Sequence, residues 1–201
     1  MKSIFIISIL LCSIAVCGQP IIDDFSQGSM SLQTHSSLSS EAQWFQSGSN
    51  RSLVGGNRSL KLKLSGNTDQ QEVQVSVKNN KLIGSFGYNV RGVLFVNYGS
   101  SPKGNQPLNL NLSSYTNLKI EFEAKASKTN LHVGLFTNSD RAVWSQHVDK
   151  REGIITVTIP LKSLKVIGPN FTLKDVDYIR FQFNSASIVG NNFAVKKIWV
   201  D

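Results

Sequence analysis

Residues 118–125 read Leu118-Lys119-Ile120-Glu121-Phe122-Glu123-Ala124-Lys125. Apolar and charged side chains alternate without a break. Successive side chains of a strand point to opposite faces, so this stretch has one dry face and one wet face. The same period runs outward in both directions. Leu60, Leu62 and Leu64 alternate with Ser59, Lys61 and Lys63, and Val73, Val75 and Val77 with Glu72, Gln74 and Ser76. Further on, Ile155, Val157 and Ile159 alternate with Thr156 and Thr158, and Ile179, Phe181 and Phe183 with Tyr178, Arg180 and Gln182. Strands with one apolar face each stack as antiparallel sheets, apolar rows inward.

Turn formers separate these runs: Gly55-Gly56-Asn57, Gly66-Asn67, Asn79-Asn80, Gly99 to Asn105, Asn138-Ser139-Asp140, Gly168-Pro169-Asn170 and Gly190-Asn191-Asn192. No stretch sustains a helical period. Single turns are expected at Leu112–Tyr115, Leu161–Leu164 and Thr172–Val176, and a long loop or ragged edge at the Ser-rich residues 29–41. The pattern predicts an all-β fold, an antiparallel β-sandwich of jelly-roll type.

The first residues have a different character. Met1-Lys2-Ser3 is a short basic start, Ile4 to Val16 is apolar apart from Ser8, Cys12 and Ser13, and Val16-Cys17-Gly18 precedes Gln19-Pro20. This reads as a secretory signal peptide over 1–18, too short to span a bilayer comfortably, followed by one sandwich domain over 19–201. Cleavage removes both cysteines, Cys12 and Cys17, so the mature domain is expected to stand on its apolar core. The competing reading takes Ile14-Ala15-Val16-Cys17 as a lipoprotein box with Cys17 acylated, although Val16 is bulkier than the usual residue there. A secreted or extracellular location is expected either way. Sequons at Asn50, Asn57, Asn111 and Asn170 make a glycoprotein conceivable without proving glycosylation.

The formal net charge is +8. The lysines are scattered and many alternate with apolar residues, as on the wet side of strands, with weak attraction to acidic glycans as the other reading. Export argues against nucleic acid as a partner. No nucleophile elbow, H-E-x-x-H or phosphate loop occurs. Glu121 and Glu123 lie two residues apart on one wet face bordered by lysines, which reads as a charge ladder rather than a glycosidase pair. His35, His132 and His147 stand too far apart for a zinc motif.

Several patterns fall in a recognisable order. The chain opens with Ile21-Ile22-Asp23-Asp24-Phe25. Gly55 to Leu62 is a glycine turn feeding a strand, and Leu108 to Leu118 enters the Lys119–Lys125 strand. Ile159-Pro160-Leu161 closes another strand. Val176 to Phe183 leads to Phe193-Ala194-Val195-Lys196-Lys197-Ile198-Trp199-Val200-Asp201. This order resembles the galactose-binding-domain-like jelly rolls, which include non-catalytic carbohydrate-binding modules and the complex I intermediate-associated protein domain. Such modules commonly carry an acidic residue where this chain has Lys196 or Lys197. The resemblance implies a structural calcium ion near the meeting of the first and last strands, for which Asp24 and Asp201 are the candidate ligands, with Asp23 the alternative to Asp24.

Sugars are held by flat aromatic faces and by amides and charges that bond hydroxyls. Trp144, Gln146, Arg180 and Gln182, with Tyr98 or Tyr88, are the candidate ligand-binding residues, expected to line one concave sheet. The other reading places Trp144 in the core, where Trp44 and Trp199 are also expected. The function expected is secreted, non-catalytic recognition of a glycan or cell-surface polymer. The alternatives are a carbohydrate-active lyase or hydrolase on the same scaffold, and a structural matrix or surface protein.

Overall fold

The computed structural model describes residues 20–35, 40–101, 104–123, 129–149, 153–184 and 190–201. The expected leader and residues 36–39 of the Ser-rich segment lie outside the described residues. In chain order the strands begin with β1 (Ile21–Asp23), β2 (Met30–Thr34), β3 (Ser40–Ser47), β4 (Asn57–Gly66), β5 (Val73–Lys78), β6 (Lys81–Phe86), β7 (Arg91–Tyr98), β8 (Ser100–Ser101) and β9 (Gly104–Asn105). They continue with β10 (Asn117–Glu123), β11 (Thr129–Thr137), β12 (Asp140–Val148), β13 (Ile154–Pro160), β14 (Lys165–Ile167), β15 (Tyr178–Phe183) and β16 (Asn191–Val200).

Two seven-stranded antiparallel sheets carry the fold. The first runs β13-β10-β16-β6-β5-β2, with β1 also paired to β16; the second runs β14-β12-β11-β15-β7-β4-β3. The chain crosses repeatedly between them, as in a jelly roll: β4 to β5, β6 to β7, β10 to β11, β12 to β13 and β15 to β16. The all-β sandwich read from the alternation is therefore the observed fold. The alternating rows meet in the middle. Leu118, Ile120, Phe122 and Val195 of the first sheet and Leu60, Leu62, Leu94, Val133, Phe181 and Phe183 of the second are all buried. Phe183 stacks on Phe193 at 5.1 Å and meets Phe122 edge-on at 6.1 Å, which joins the two layers at the centre.

Local chemistry explains the connections. Asn79 and Asn80 take φ of 51° and 55°, the left-handed pair that a two-residue hairpin between β5 and β6 requires. A 3-10 turn at Leu161–Ser163 follows β13, where the sequence predicts one. One expectation is corrected, the core placement of Trp199. The segment 29–41 takes its edge alternative, because Met30–Thr34 pairs with β5 as an edge strand. Its Ser31 and Gln33 are exposed while Met30 and Leu32 pack on the core, so its alternation is too polar to stand out. Trp199 lies beside Lys119 in register on the outer side of the first sheet, half-buried, with the Lys197 ammonium 5.2 Å above its ring. A bulge at residues 196–197 shifts the period of β16 and turns Trp199 outward.

Candidate ligand-binding face

The outer face of the second sheet can be read rung by rung, because cross-strand partners point the same way. One rung runs Phe45, Ser59, Asn97, Arg180, Gly134, Val143, Lys165. On one side of it lies Gln43, Lys61, Phe95, Gln182, His132, Ser145, and on the other Tyr178, Phe136, Arg141, Ile167.

Arg180 stands at the centre. Its guanidinium carbon is 5.4 Å from the Tyr178 ring centroid, 5.6 Å from Phe95 and 5.8 Å from Phe136. Three rings around one cation hold it electrostatically and keep the long side chain in place. Its Nε donates to Asn97 Oδ1 at 3.0 Å and its Nη2 to the Tyr178 hydroxyl at 3.3 Å. Nη1 has no protein acceptor among the described residues, and the side chain is exposed. Phe136 and Tyr178 meet edge-to-face at 5.4 Å. Burial raises the Tyr178 hydroxyl pKa, so at neutral pH it remains a neutral acceptor for Arg180 and a donor to anything beyond.

Gly134 explains why a flat ring lies here. A Cβ at this position would sit 2.8 Å from Phe136 Cε2, so only glycine lets the ring fold back over the strand. Two depressions flank Arg180 and Phe136. One, of about 460 Å³, is lined by Ser100, Asn105, Pro107, Asp177 and Tyr178. The other, of about 450 Å³, is floored by the Phe136 ring over Gly134 and by Val143, with His132, Arg141, Lys165 and Gln182 around it. Burial, with His147 nearby, holds the His132 imidazole below its ordinary value of 6.5, so it is neutral at pH 7.

The structure divides the residues singled out from the sequence. Arg180 and Gln182 share this face. Trp144 and Gln146 have the opposite parity: they pair with Val133 and Leu131, whose side chains are buried in the core, and Trp144 packs against that core while also bordering the second depression. Tyr98 is fully buried, and its hydroxyl donates to Asp23 Oδ2 at 2.7 Å. Tyr88 lies in the turn after β6, 78% exposed. The residues missed were Phe95, Asn97, His132, Gly134 and Phe136. The signal available was a glycine inside the alternating run His132-Val133-Gly134-Leu135-Phe136, which marks a close approach to a strand surface.

The candidate ion ligands Asp24 and Asp201 stand apart and have protein partners. Asp24 Oδ1 accepts from the Ser26 backbone N–H at 3.0 Å and from its hydroxyl, an Asx turn. Asp201 is paired with Lys119 and accepts from Asn117 Nδ2, and these partners lower its pKa below 3.8. No group of three or more metal-ligating side chains occurs among the described residues. Asp23 is the aspartate that points inward, where it meets Arg58, and both are almost fully buried. Arg58 also donates to Gln46 Oε1 and the Gln27 carbonyl, both at 2.8 Å, and lies 5.1 Å from the Phe25 ring. A fixed guanidinium thus supplies positive charge close to where β1 joins β16. Glu121 and Glu123 pair with Lys196 and Lys81, as the charge-ladder reading predicts.

No protein-family model and no curated protein matches the chain. Among solved structures it is similar to a family 11 carbohydrate-binding module from Clostridium thermocellum, solved with a β-1,3-1,4-mixed-linked tetrasaccharide, at 14% identity and a TM-score of 0.45, covering 91% of this chain and 95% of that one. It is also similar to a family 28 module specific for non-crystalline cellulose, at 12% identity and a TM-score of 0.41, covering 64% and 79%.

Proposed function

We propose that the chain is an extracellular, non-catalytic glycan-binding protein that receives a polysaccharide on the outer face of its second sheet. The carrying observation is Arg180, framed by the rings of Phe95, Phe136 and Tyr178 between two adjoining depressions. Rings stack under the C–H faces of sugars, while Arg180, Gln182, His132 and the Tyr178 hydroxyl offer hydrogen bonds to hydroxyl groups. Strands fix all of these side chains, so little ordering is needed on binding. Among the described residues Asp177 is the one carboxylate lining the first depression and none lines the second, which disfavours hydrolysis by a carboxylate pair. Glycoside hydrolysis uses a pair. The apolar run from Ile4 to Val16 supports export.

Affinity electrophoresis against a polysaccharide panel tests the reading. Retention by at least one polysaccharide is expected, with Phe136→Ala weakening it by about 1–2 kcal/mol, the scale of an aromatic anchor. Release of reducing ends or unsaturated products would overturn the non-catalytic part. Absence of retention by every member at high protein concentration would overturn the whole.

A further inference from the structure

The two outer faces handle charge differently. On the first sheet, Lys119, Lys81 and Lys196 each contact a carboxylate, from Asp201, Glu123 and Glu121 respectively. On the second, Lys61 contacts Glu41, but Arg141, Lys165 and Arg180 have no acidic partner among the described residues. All three of these cations border the same depression, the one without a carboxylate.

Their placement gives the depression a direction. Lys165, Val143, Gly134 and Arg180 are consecutive on one rung. Three strand spacings separate the two cations, about 14 Å between Cα atoms. Arg141 stands on the neighbouring rung, beside Phe136. The floor between them is formed by the Phe136 ring, folded over Gly134, and by the short Val143 side chain. The result is a shallow apolar trough with positive charge at both ends and along one side. Charges of one sign around a shallow depression create a positive potential that favours an anionic ligand. Arg180 adds a guanidinium edge free for a two-oxygen acceptor, the geometry carboxylate and sulfate groups fit. The other depression contains Asp177, whose Oδ2 accepts from the Asn138 N–H at 2.8 Å, and it suits uncharged sugar units.

We infer that the trough between Arg180 and Lys165 selects an anionic glycan, one that carries carboxylate or sulfate groups along its chain. This rests on the glycan-binding reading and narrows it. Neutral His132 beside the trough adds a further cation as it takes up a proton below its depressed pKa, so binding strengthens in mild acid. The other charged and titratable groups around it are Arg141, Lys165 and Arg180 in the trough and His147 on the neighbouring strand.

Isothermal titration of the whole chain with polygalacturonate, a sulfated galactan and a neutral β-glucan tests the inference. One of the two polyanions is expected to bind more tightly than the neutral chain, with affinity falling as salt rises. Whichever polyanion binds better identifies the acidic group, and either result supports the inference. Arg141→Gln and Lys165→Gln should each lose about tenfold, the scale of one charge-assisted hydrogen bond. Lys63→Gln, on the same sheet outside the trough, should change affinity little. Equal or tighter binding of the neutral glucan overturns the inference and leaves glycan binding standing. Equal losses in Lys63→Gln and Lys165→Gln, or equally tight binding of duplex DNA, overturn it as diffuse charge attraction. Binding of none of the three polysaccharides overturns the glycan-binding reading itself.

Discussion

Arg58→Leu is the most informative single substitution for the fold. The guanidinium and the Asp23 carboxylate are both almost fully buried, and the Tyr98 hydroxyl and the Phe25 N–H complete the Asp23 environment. Burial raises the Asp23 pKa above 3.8, and Arg58 pulls it back. Deleting Arg58 removes the larger compensating influence and strands a carboxylate in the core. Loss of one partner of a buried pair costs about 3–5 kcal/mol. For a chain of this size each kcal/mol moves the melting temperature by about 2–4 °C, so a fall of about 6–20 °C is expected. The pH dependence has a definite sign. Without Arg58 the folded-state pKa of Asp23 rises further, so across the window above 3.8 the folded chain holds more protons than the unfolded one. Stability of the variant then falls as pH rises through that window, and its deficit shrinks in mild acid. Urea unfolding of wild type, Arg58→Leu, Asp23→Leu and the double variant closes the cycle. The double variant should recover much of the loss, since no buried charge is left unpaired. A loss under about 1 kcal/mol in Arg58→Leu, or a double variant no better than the worse single one, would refute the reasoning.

Gly134→Val should push the Phe136 ring off the strand while β11 still forms. Circular dichroism should be preserved and glycan affinity should drop about three- to tenfold, the worth of a displaced aromatic contact. For His132, the unfolded chain takes up a proton near 6.5 and the folded chain only at lower pH, so stability should decline as pH falls through 6.5. Unfolding midpoints at several pH values should show a flatter acid slope in His132→Gln, and an unchanged slope would contradict the assignment. The Asp201 carboxyl should titrate below 3.8 by NMR and move up in Lys119→Met. Its contribution to stability is present above the unfolded value and is lost as pH falls through the depressed one.

The alternation of Leu118 to Glu123 or Ile179 to Phe183 carries nearly all the information needed for a sandwich, because a row of every-second apolar residues has only one way to leave water. Deciding which face of a mixed strand is dry needs its neighbours. Ala142, Trp144 and Gln146 share a side, and Gln146 makes that side look wet. Register with Val133 and Leu131 shows it is the core side, with Gln146 at its exposed margin. Arg58 shares its parity with Leu60, Leu62 and Leu64, yet its charge argues for solvent. Asp23, brought over by β1, together with Gln46 and the Gln27 carbonyl, makes its burial tolerable. Tyr98 follows Leu94 and Val96 into the core by simple parity, which was legible. The Phe95, Phe136 and Tyr178 cluster was not, since its rings come from three strands distant in sequence.

The pairing of β1 with β16, together with the hydrogen bond from the Val200 N–H to the Pro20 carbonyl, brings Pro20 and Val200 to one spot on the first sheet. The Arg180 platform looks out from the opposite layer. An attachment made beside Pro20 or Val200, whether to a resin, a bead or a neighbouring polypeptide, would therefore grip the molecule from behind and leave the Arg180 platform facing outward.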